Sequence, residues 1–303
     1  MEADRRAISF LHVAFVHARI PGMREIQAAA IQARVAALIR QASFELPPDV
    51  LTALSLAREQ ERSPLGREVL GRILENALLA REEILPLCQD CGAAVFFLEV
   101  GQDVHIAAGG LYEAVEAGTA LGYKENYLRA SMVSCPFSRR ENTGDNTPPV
   151  IHTDIVPGDR LKISFMPKGG GAENTSRLFM LKPGAGTAGI IQSVVTTVSD
   201  AGGNACPPLI IGLGIGATAE KAMVEAKRCL LRRVGEPSPD PEVAALEREV
   251  LSAVNALGIG PLGMGGTVTA LAVQAVALPC HFASLPLAVS LQCHSARHVE
   301  VML

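Results

Sequence analysis

The sequence predicts an α/β protein in which a mixed sheet core follows an all-helical N-terminal layer. Two observations predict this fold class: apolar residues recur at helical spacing over residues 23–86, and short apolar runs bounded by Gly or Pro follow after residue 92. At 303 residues with 49% hydrophobic side chains, the chain can bury the core of one large domain or of two tightly packed ones.

The helical layer spans residues 23–86. Ile31, Val35 and Leu38 lie on one face of a helix, and Leu70 and Leu74 lie on one face of another. The two prolines at positions 47 and 48 separate the first helix from the next. We interpret this layer as structural.

The α/β part spans residues 87–298. Residues 93–100 predict a buried strand, and residues 150–168 predict two strands joined at Pro157-Gly158-Asp159, with helices at about 110–119 and 123–133 before them. A helix is predicted over 187–201. Residues 236–242 are rich in Pro and acidic residues and predict a hinge or surface turn, and two apolar strands near the end of the chain are similar enough in length to pair.

A glycine-rich stretch, GLGIGA at 212–217, fits the pattern of a dinucleotide-binding turn between a strand and a helix. Such a fold also needs an acidic residue at the end of a second strand about 20 residues later. Here a helix up to Gly235 and the 236–242 turn follow instead. We therefore expect a tight strand-to-helix turn with free amides that can hold an anion, and a nucleotide-binding oxidoreductase is an alternative.

The charge and the cysteine count narrow the function classes. The net charge is −4 and basic residues are scattered, which argues against nucleic acid and leaves a small anionic substrate possible. Seven cysteines at irregular spacing favour a reducing compartment, by default the cytoplasm. No run reaches the roughly 18 apolar residues of a membrane span, so we expect a soluble protein. Residues 1–22 have the shape of a signal peptide, but His12 and His17 interrupt the apolar run.

Three of the cysteines lie where elements end. Cys88 precedes a strand, Cys206 precedes two prolines and Cys293 follows the last long strand, whereas Cys229 has the context of a core residue. Cys135 and Cys280 remain undecided. Three thiolates are one too few for a closed zinc site or an electron-transfer [4Fe-4S] cluster. A cluster held by three leaves one iron open as a Lewis acid for a hydroxyl and a carboxylate.

Two polar loops supply further candidate groups. Residues 139–149 are dense in hydrogen-bonding side chains, and residues 168–176 combine three glycines with donors that can approach a carboxylate closely. Each loop alone is equally typical of a solvated surface turn. Both together with the three cysteines indicate a binding site.

Six motifs, in this order, resemble those of one family. They are CQD-x-G at 88–92, R-x-NTGDNTP at 140–148, KG-x-G-x-EN-x-S at 168–176, N-x-CPP at 204–208, G-x-GIG-x-T at 212–218 and CH-x-ARH at 293–298. The chain resembles the alpha subunit of class I fumarase and L-tartrate dehydratase, the iron-sulfur hydro-lyases, over residues 23–298. Residues 1–22 are then an extension or a misassigned start, and residues 299–303 a tail.

The resemblance implies a [4Fe-4S] cluster and a set of site residues. Its cluster ligands correspond to Cys88, Cys206 and Cys293. The residues that it places around the substrate are Gln89, the general acid Asp90, the carboxylate-binding Arg129, Gly171 through its backbone, and His281, which orients the acid. Cys91 stands where the family usually has Thr or Ser, so the Cys88-Cys91 pair is an accidental C-x-x-C, and a thioredoxin-like dithiol would need a helix to follow it.

The implied reaction is reversible hydration of a small dicarboxylate: fumarate to L-malate, or tartrate dehydrated to oxaloacetate. In the two-subunit members a separate beta subunit carries the catalytic base, so we expect this chain to act with such a partner, as in an α2β2 assembly. A different class of function is an iron-sulfur or thiol-based sensor or scaffold without turnover. That reading predicts an exposed cysteine pair of low pKa and gives the polar loops no role.

Overall fold

The computed structural model describes residues 23–303, and the predicted N-terminal extension lies outside them. The α/β prediction is confirmed. The helices are α1 Ala28–Phe44, α2 Pro48–Gln60, α3 Pro64–Glu82, α4 Leu111–Glu125, α5 Gly170–Asn174, α6 Gly186–Ala201, α7 Ala219–Cys229 and α8 Pro241–Asn255. The strands are β1 Arg24–Gln27, β2 Ala93–Gly101, β3 Val104–Ala107, β4 Val150–Val156, β5 Leu161–Lys168, β6 Arg177–Leu181, β7 Leu209–Gly216, β8 Ala270–Leu278, β9 Leu285–Gln292 and β10 Val299–Met302.

Two four-stranded mixed sheets organise the molecule. In the first sheet, ordered β10-β5-β2-β4, β2 runs parallel to β4 and antiparallel to β5. In the second, ordered β6-β9-β7-β8, β7 runs parallel to β8 and antiparallel to β9. A short parallel pair, β1 with β3, stands apart from both sheets.

Three apolar clusters hold these layers together. Helices α1 and α4 cover one face of the first sheet, where Phe96 and Phe165 are fully buried with ring centroids 4.9 Å apart. Helices α6 and α8 cover one face of the second sheet. A third cluster joins α2 and α3 to Phe97 and Met166 of the first sheet and to Ile210 of the second. Because large apolar side chains share this cluster, it packs the two sheets against each other.

The ends of the described region differ from the prediction. Residues 24–27, predicted as part of a helix, form β1 and pair with β3. Residues 299–302, predicted as a tail, form β10 and pair with β5. Four-residue strands have too few positions to show a period, so their partners rather than their own pattern determine their structure.

The predicted helix at 123–133 is wrong. Helix α4 runs unbroken from Leu111 to Glu125, and a long loop follows it to residue 149. Tyr127, Cys135, Arg140 and Asn146 have positive φ in this loop. Because a left-handed residue such as Tyr127 ends a helix, the chain cannot continue as a helix after α4. The apolar residues near position 130 therefore belong to the loop.

The predicted glycine turn is also wrong, because Gly212, Gly214 and Gly216 lie within strand β7. A Cβ atom on Gly212 would lie 2.0 Å from the carbonyl oxygen of Ala226, and one on Gly214 would lie 2.0 Å from that of Ala222. Both oxygens belong to α7, which starts at Ala219 and ends at Cys229 rather than near 235. The glycines therefore let a helix lie directly on a strand.

The two apolar strands near the end of the chain, β8 and β9, do not pair with each other. Strand β7 lies between them and bonds to both. Across residues 23–303 the helices fall short of the length and apolar character that crossing a bilayer requires.

Candidate active site

The second sheet brings two of the candidate cysteines to one edge. Strand β7 begins just after Cys206, β9 ends just before Cys293, and their antiparallel register pairs Ile210 with Gln292. The pairing continues past the sheet, because the backbone N–H of His294 donates to the carbonyl of Cys206 at 3.2 Å. Cys206 itself has a left-handed conformation, with φ of 55°. The two turns thus hold their cysteines side by side.

The third cysteine comes from the first sheet. Cys88 lies in the segment that connects α3 to β2, and its sulfur accepts a hydrogen bond from the N–H of Asp90 at 3.4 Å. The guanidinium of Arg297 donates to the carbonyl of Asp90 at 3.2 Å. Since Arg297 follows Cys293 by four residues, this bond ties the Cys88 segment to the Cys293 segment across the two sheets.

The charge of Cys88 affects the ionisation of the other two thiols. Burial raises the pKa of Cys206, and the charge of Cys88 raises it further. Burial also raises the pKa of Cys293; the charge of Arg297 counteracts this, and the charges of Cys88 and Cys206 add to it. Such coupling requires that the three sulfurs lie near one another. Three ionised thiolates in this position would repel one another, so ionising all three is unfavourable unless a cation is bound among them.

The remaining cysteines have other surroundings. Cys91 is buried in the first-sheet core, where burial raises the pKa of its thiol. Its thiol points at the carbonyl of Cys88 at 3.8 Å. Cys229 contacts the carbonyl of Leu213, and burial raises its pKa to about 12. Cys91 therefore is not the exposed, low-pKa thiol that a redox dithiol needs.

A cavity of about 480 Å³ is lined by Gln89 and Asp90, the two residues that follow Cys88. Its size suits a small ligand. The Asp90 carboxylate is fixed at both oxygens: the N–H of Gly92 donates at 2.9 Å and that of Gly170 at 2.8 Å. The other lining residues are Ala93, Arg129, Ser131, Met132, Lys168, Gly170, Glu173 and Asn174.

Arg129 reaches the cavity because a buried asparagine folds the 126–149 loop back onto the first sheet. The side-chain oxygen of Asn146 accepts from the N–H groups of Ser131 at 2.7 Å and Met132 at 3.2 Å. Its amide group donates to the carbonyl of Gly92 at 3.0 Å. Asn146 is completely buried, so these bonds fix the loop in a dry environment where they are strong. Arg129 itself is exposed toward the open side of the cavity.

The KGGG turn closes the cavity from another side. Gly170 lines the cavity, whereas Gly171 does not. A Cβ atom on Gly171 would lie 2.5 Å from the carbonyl oxygen of Asn204. The turn therefore lies against residues 202–205, which immediately precede Cys206, and only glycine fits there.

Lys168 supplies a buried cation at this cavity. Its side chain is 1% exposed, and its ammonium lies 3.1 Å from a carboxylate oxygen of Glu173. Lys227 also contacts Glu173, at 2.7 Å. Burial lowers the pKa of Lys168, and the charge of Glu173 opposes this. Glu173 therefore balances two ammonium groups.

His281 does not join the other candidate residues within this chain. It is exposed and follows β8, at the opposite end of the second sheet from Cys206 and Cys293. Its ring accepts a hydrogen bond from the N–H of Ala283 at 3.1 Å, within its own turn. The structure thus brings together Cys88, Gln89, Asp90, Arg129, Cys206 and Cys293, sets Gly171 just behind the cavity, and separates His281 from them.

The sequence prediction missed three residues that build this site: Lys168, Asn146 and Arg297. Each lies inside one of the six motifs. Asn146 and Arg297 are polar residues that the fold buries, and this burial would have marked them. The sequence alone does not show it, because burial depends on how the elements pack together.

Comparisons with known proteins show the family to which the chain belongs. Residues 32–302 match the family model described as fumarate hydratase (fumerase). A putative L(+)-tartrate dehydratase subunit alpha from Methanocaldococcus jannaschii is 40% identical over 268 residues, 87% of this chain and 94% of that protein. The L(+)-tartrate dehydratase subunit alpha of Escherichia coli K12 is 31% identical over 262 residues, 84% of each chain. The chain therefore belongs to the fumarate hydratase family of iron-sulfur hydro-lyases, as its motifs indicate.

Proposed function

We propose that this chain catalyses reversible hydration and dehydration of a small dicarboxylate, with a [4Fe-4S] cluster held by Cys88, Cys206 and Cys293. The observation that carries the proposal is that the Cys206 and Cys293 segments are paired at one sheet edge and that Arg297 ties the Cys88 segment to them, next to the cavity of Asp90 and Arg129. Because the relatives are named for L(+)-tartrate dehydration, tartrate is the first substrate to test and fumarate the second.

The residues present fit a cluster with three thiolate ligands. Within residues 23–303, no group of three or more His, Cys, Asp or Glu side chains is arranged around a single metal ion. A cubane makes a different demand, since each thiolate binds its own iron. Thiols supplied by turns, and the buried cation Arg297 beside Cys293, match a thiolate-bound group that carries negative charge.

The protein's own groups bind and orient the substrate. Arg129 binds a carboxylate with its planar, bidentate donors, and Gln89 hydrogen-bonds the substrate beside it. Gly171 supports the turn through its backbone. When bound, the cluster supplies a Lewis-acidic iron to the hydroxyl and the adjacent carboxylate.

Asp90 acts as the general acid for the leaving hydroxyl. Its carboxylate oxygens are held by two backbone amides, so its orientation in the cavity is set before substrate arrives. His281 is placed too far along the second sheet to contact Asp90 within this chain, so a role in orienting the acid would need a second copy or a partner chain.

The relatives are named as alpha subunits. We propose that this chain likewise acts with a separate beta subunit, which brings the base that removes the carbon-bound proton. Turnover of tartrate and fumarate by this chain alone and with the candidate beta chain tests this directly. Full turnover by the chain alone would contradict the need for a partner.

Iron content tests the ligand assignment. The wild-type chain, reconstituted without oxygen, should bind about four irons and four sulfides. Cys88→Ser, Cys206→Ser and Cys293→Ser should each lower this number, while the controls Cys229→Ser and Cys280→Ser should not. Loss of iron in a control variant with retention in a candidate variant would refute the assignment.

Turnover tests the general acid. Asp90→Asn should retain its iron and lose activity by a factor of about 10² or more, because it cannot protonate the leaving group. Asp103→Asn, in an exposed turn between β2 and β3, is the matched control. Equal loss of iron and activity in Asp90→Asn would show that Asp90 supports the fold instead.

A further inference from the structure

Arg297 is among the most completely buried large side chains in the described part of the molecule, with 2% exposure. It lies between β9 and β10. Its Nε donates to the carbonyl of Ser295 and its Nη2 donates to the carbonyl of Asp90, both at 3.2 Å. Two of its five N–H groups are thus engaged by neutral backbone oxygens.

Arg297 has no carboxylate partner within 4.0 Å among residues 23–303, in contrast to the other enclosed cations. Lys168 pairs with Glu173, and Arg232 pairs with Glu247. Arg297 bonds to the backbone carbonyl of Asp90, whereas the Asp90 carboxylate accepts from the amides of Gly92 and Gly170. A buried charge without a counter-charge is strongly unfavourable.

The hydrogen bonds of Arg297 place it between two of the candidate ligand segments. Asp90, whose carbonyl it holds, follows Cys88 by two residues, and Ser295, whose carbonyl it also holds, follows Cys293 by two residues. A cluster with three thiolates carries net negative charge, so it supplies the counter-charge that the protein itself lacks.

We infer that Arg297 is a positioning residue for the cysteine-bound group: it neutralises the group's charge from the protein side and ties the Cys88 segment to the Cys293 segment through Asp90. This inference rests on the proposed function. Arg297 touches neither substrate nor the reacting atoms. Its effect is on how firmly the cluster is held and on its reduction potential.

Three variants of the full chain test this: Arg297→Met, which keeps length without charge; Arg297→Lys, which keeps charge without the planar donors; and Arg248→Met, an exposed control on α8. After anaerobic reconstitution, the rate of iron transfer to a chelator and the midpoint potential of the cluster are measured. Urea unfolding is measured on the cluster-free forms.

Arg297→Met should release iron at least about tenfold faster than wild type and should shift the potential downward, because loss of a positive charge disfavours the reduced cluster. Its cluster-free form should resist urea as well as wild type does, since the unpaired charge has gone. Arg297→Lys should release iron faster while keeping the wild-type potential. Arg248→Met should match wild type in all three measurements.

Two results would overturn the inference alone. One is wild-type iron release and potential in Arg297→Met. The other is a loss of urea resistance in the cluster-free form, with an unchanged potential, which would make Arg297 an ordinary core residue. If Arg297→Met does not fold, wild-type iron release by Arg297→Lys overturns the inference. A wild-type chain that binds no cluster refutes the proposed ligand set, and this inference with it.

Discussion

Removal of the Glu61 carboxylate should destabilise the fold strongly, although Glu61 lies outside the candidate site. Glu61 is 2% exposed and ends α2. Its oxygens accept from the N–H groups of Ser63 at 2.8 Å, Thr267 at 2.8 and 2.9 Å, and Val268 at 2.9 Å, and from the Thr267 hydroxyl at 3.0 Å. The carboxylate thereby joins the helical layer to the segment before β8.

The magnitude follows from the donors that Glu61→Ala leaves behind. Each unsatisfied buried amide costs about 1 to 3 kcal/mol, and three amides lose their acceptor. Two of the three are only partly buried and can regain water, so we expect a loss of about 3 to 5 kcal/mol. Glu61→Gln keeps one acceptor oxygen but loses the charge, and should cost about half as much.

Urea unfolding of the cluster-free chain, followed by circular dichroism, measures the effect. Glu59→Ala, an exposed acid on the same helix, is the control and should change stability by less than about 0.5 kcal/mol. A loss below about 1 kcal/mol in Glu61→Ala would refute the reasoning, because it would mean that the amides find other partners.

The same carboxylate gives a pH signature. Burial alone would raise the pKa of Glu61, but hydrogen bonds from Thr267, Ser63 and Val268 outweigh it and hold the pKa below the ordinary value of 4.5. A lowered folded pKa stabilises the protein above the unfolded value and loses this contribution as pH falls through the folded pKa. The stability gap between wild type and Glu61→Gln should therefore narrow in acid.

Three further predictions concern other elements. Asn146→Ala should lower kcat/KM by about 10-fold or more with little loss of iron, since the Arg129 loop loses its anchor; unchanged kinetics would contradict this. Gly214→Ala should destabilise the chain by more than about 3 kcal/mol in urea, because α7 blocks a Cβ atom there, whereas Gly184→Ala, with open space around it, should not. Burial lowers the pKa of His298, so stability should fall as pH drops through its unfolded value near 6.5; His298→Gln should flatten this decline in urea titrations at graded pH.

Much of the fold could be predicted from local pattern. Helix α1 and strands β2, β4 and β5 lie close to their predicted positions. Ile31, Val35 and Leu38 repeat at helical spacing, and residues 93–100 form one short apolar run that is typical of a buried strand. The pairing of β7 between β8 and β9 could not be predicted, since all three strands are buried on both faces and look alike. The glycines of β7 were wrongly predicted to form a turn. They are glycines because carbonyl groups of α7 lie against the strand, and that contact with another element is not visible in the local sequence.

The candidate site shows the same division. Cys88, Cys206 and Cys293 could be selected because each lies where a predicted element ends, and the motif resemblance agreed with them. Asn146 and Arg297 could not be selected from local pattern, since a polar residue near a loop is usually solvated. Their importance comes from burial in the assembled structure. His281 was assigned from the family resemblance and not from a local pattern, and the order of strands in the second sheet places it at the opposite end from Cys206 and Cys293.

The three proposed ligands, Cys88, Cys206 and Cys293, come from segments far apart along the chain, so no short fragment contains the proposed ligand set. A cluster held by all three would therefore need a polypeptide whose two sheets are already packed together. An inorganic core fastened there would close two successive loops of about 100 residues each, and a crosslink over that span restricts the denatured ensemble by on the order of 4 to 5 kcal/mol. Oxidative loss of the cluster would then remove this crosslink as well as the proposed catalytic iron, and the contact between the two sheets would become easier to open and to cleave.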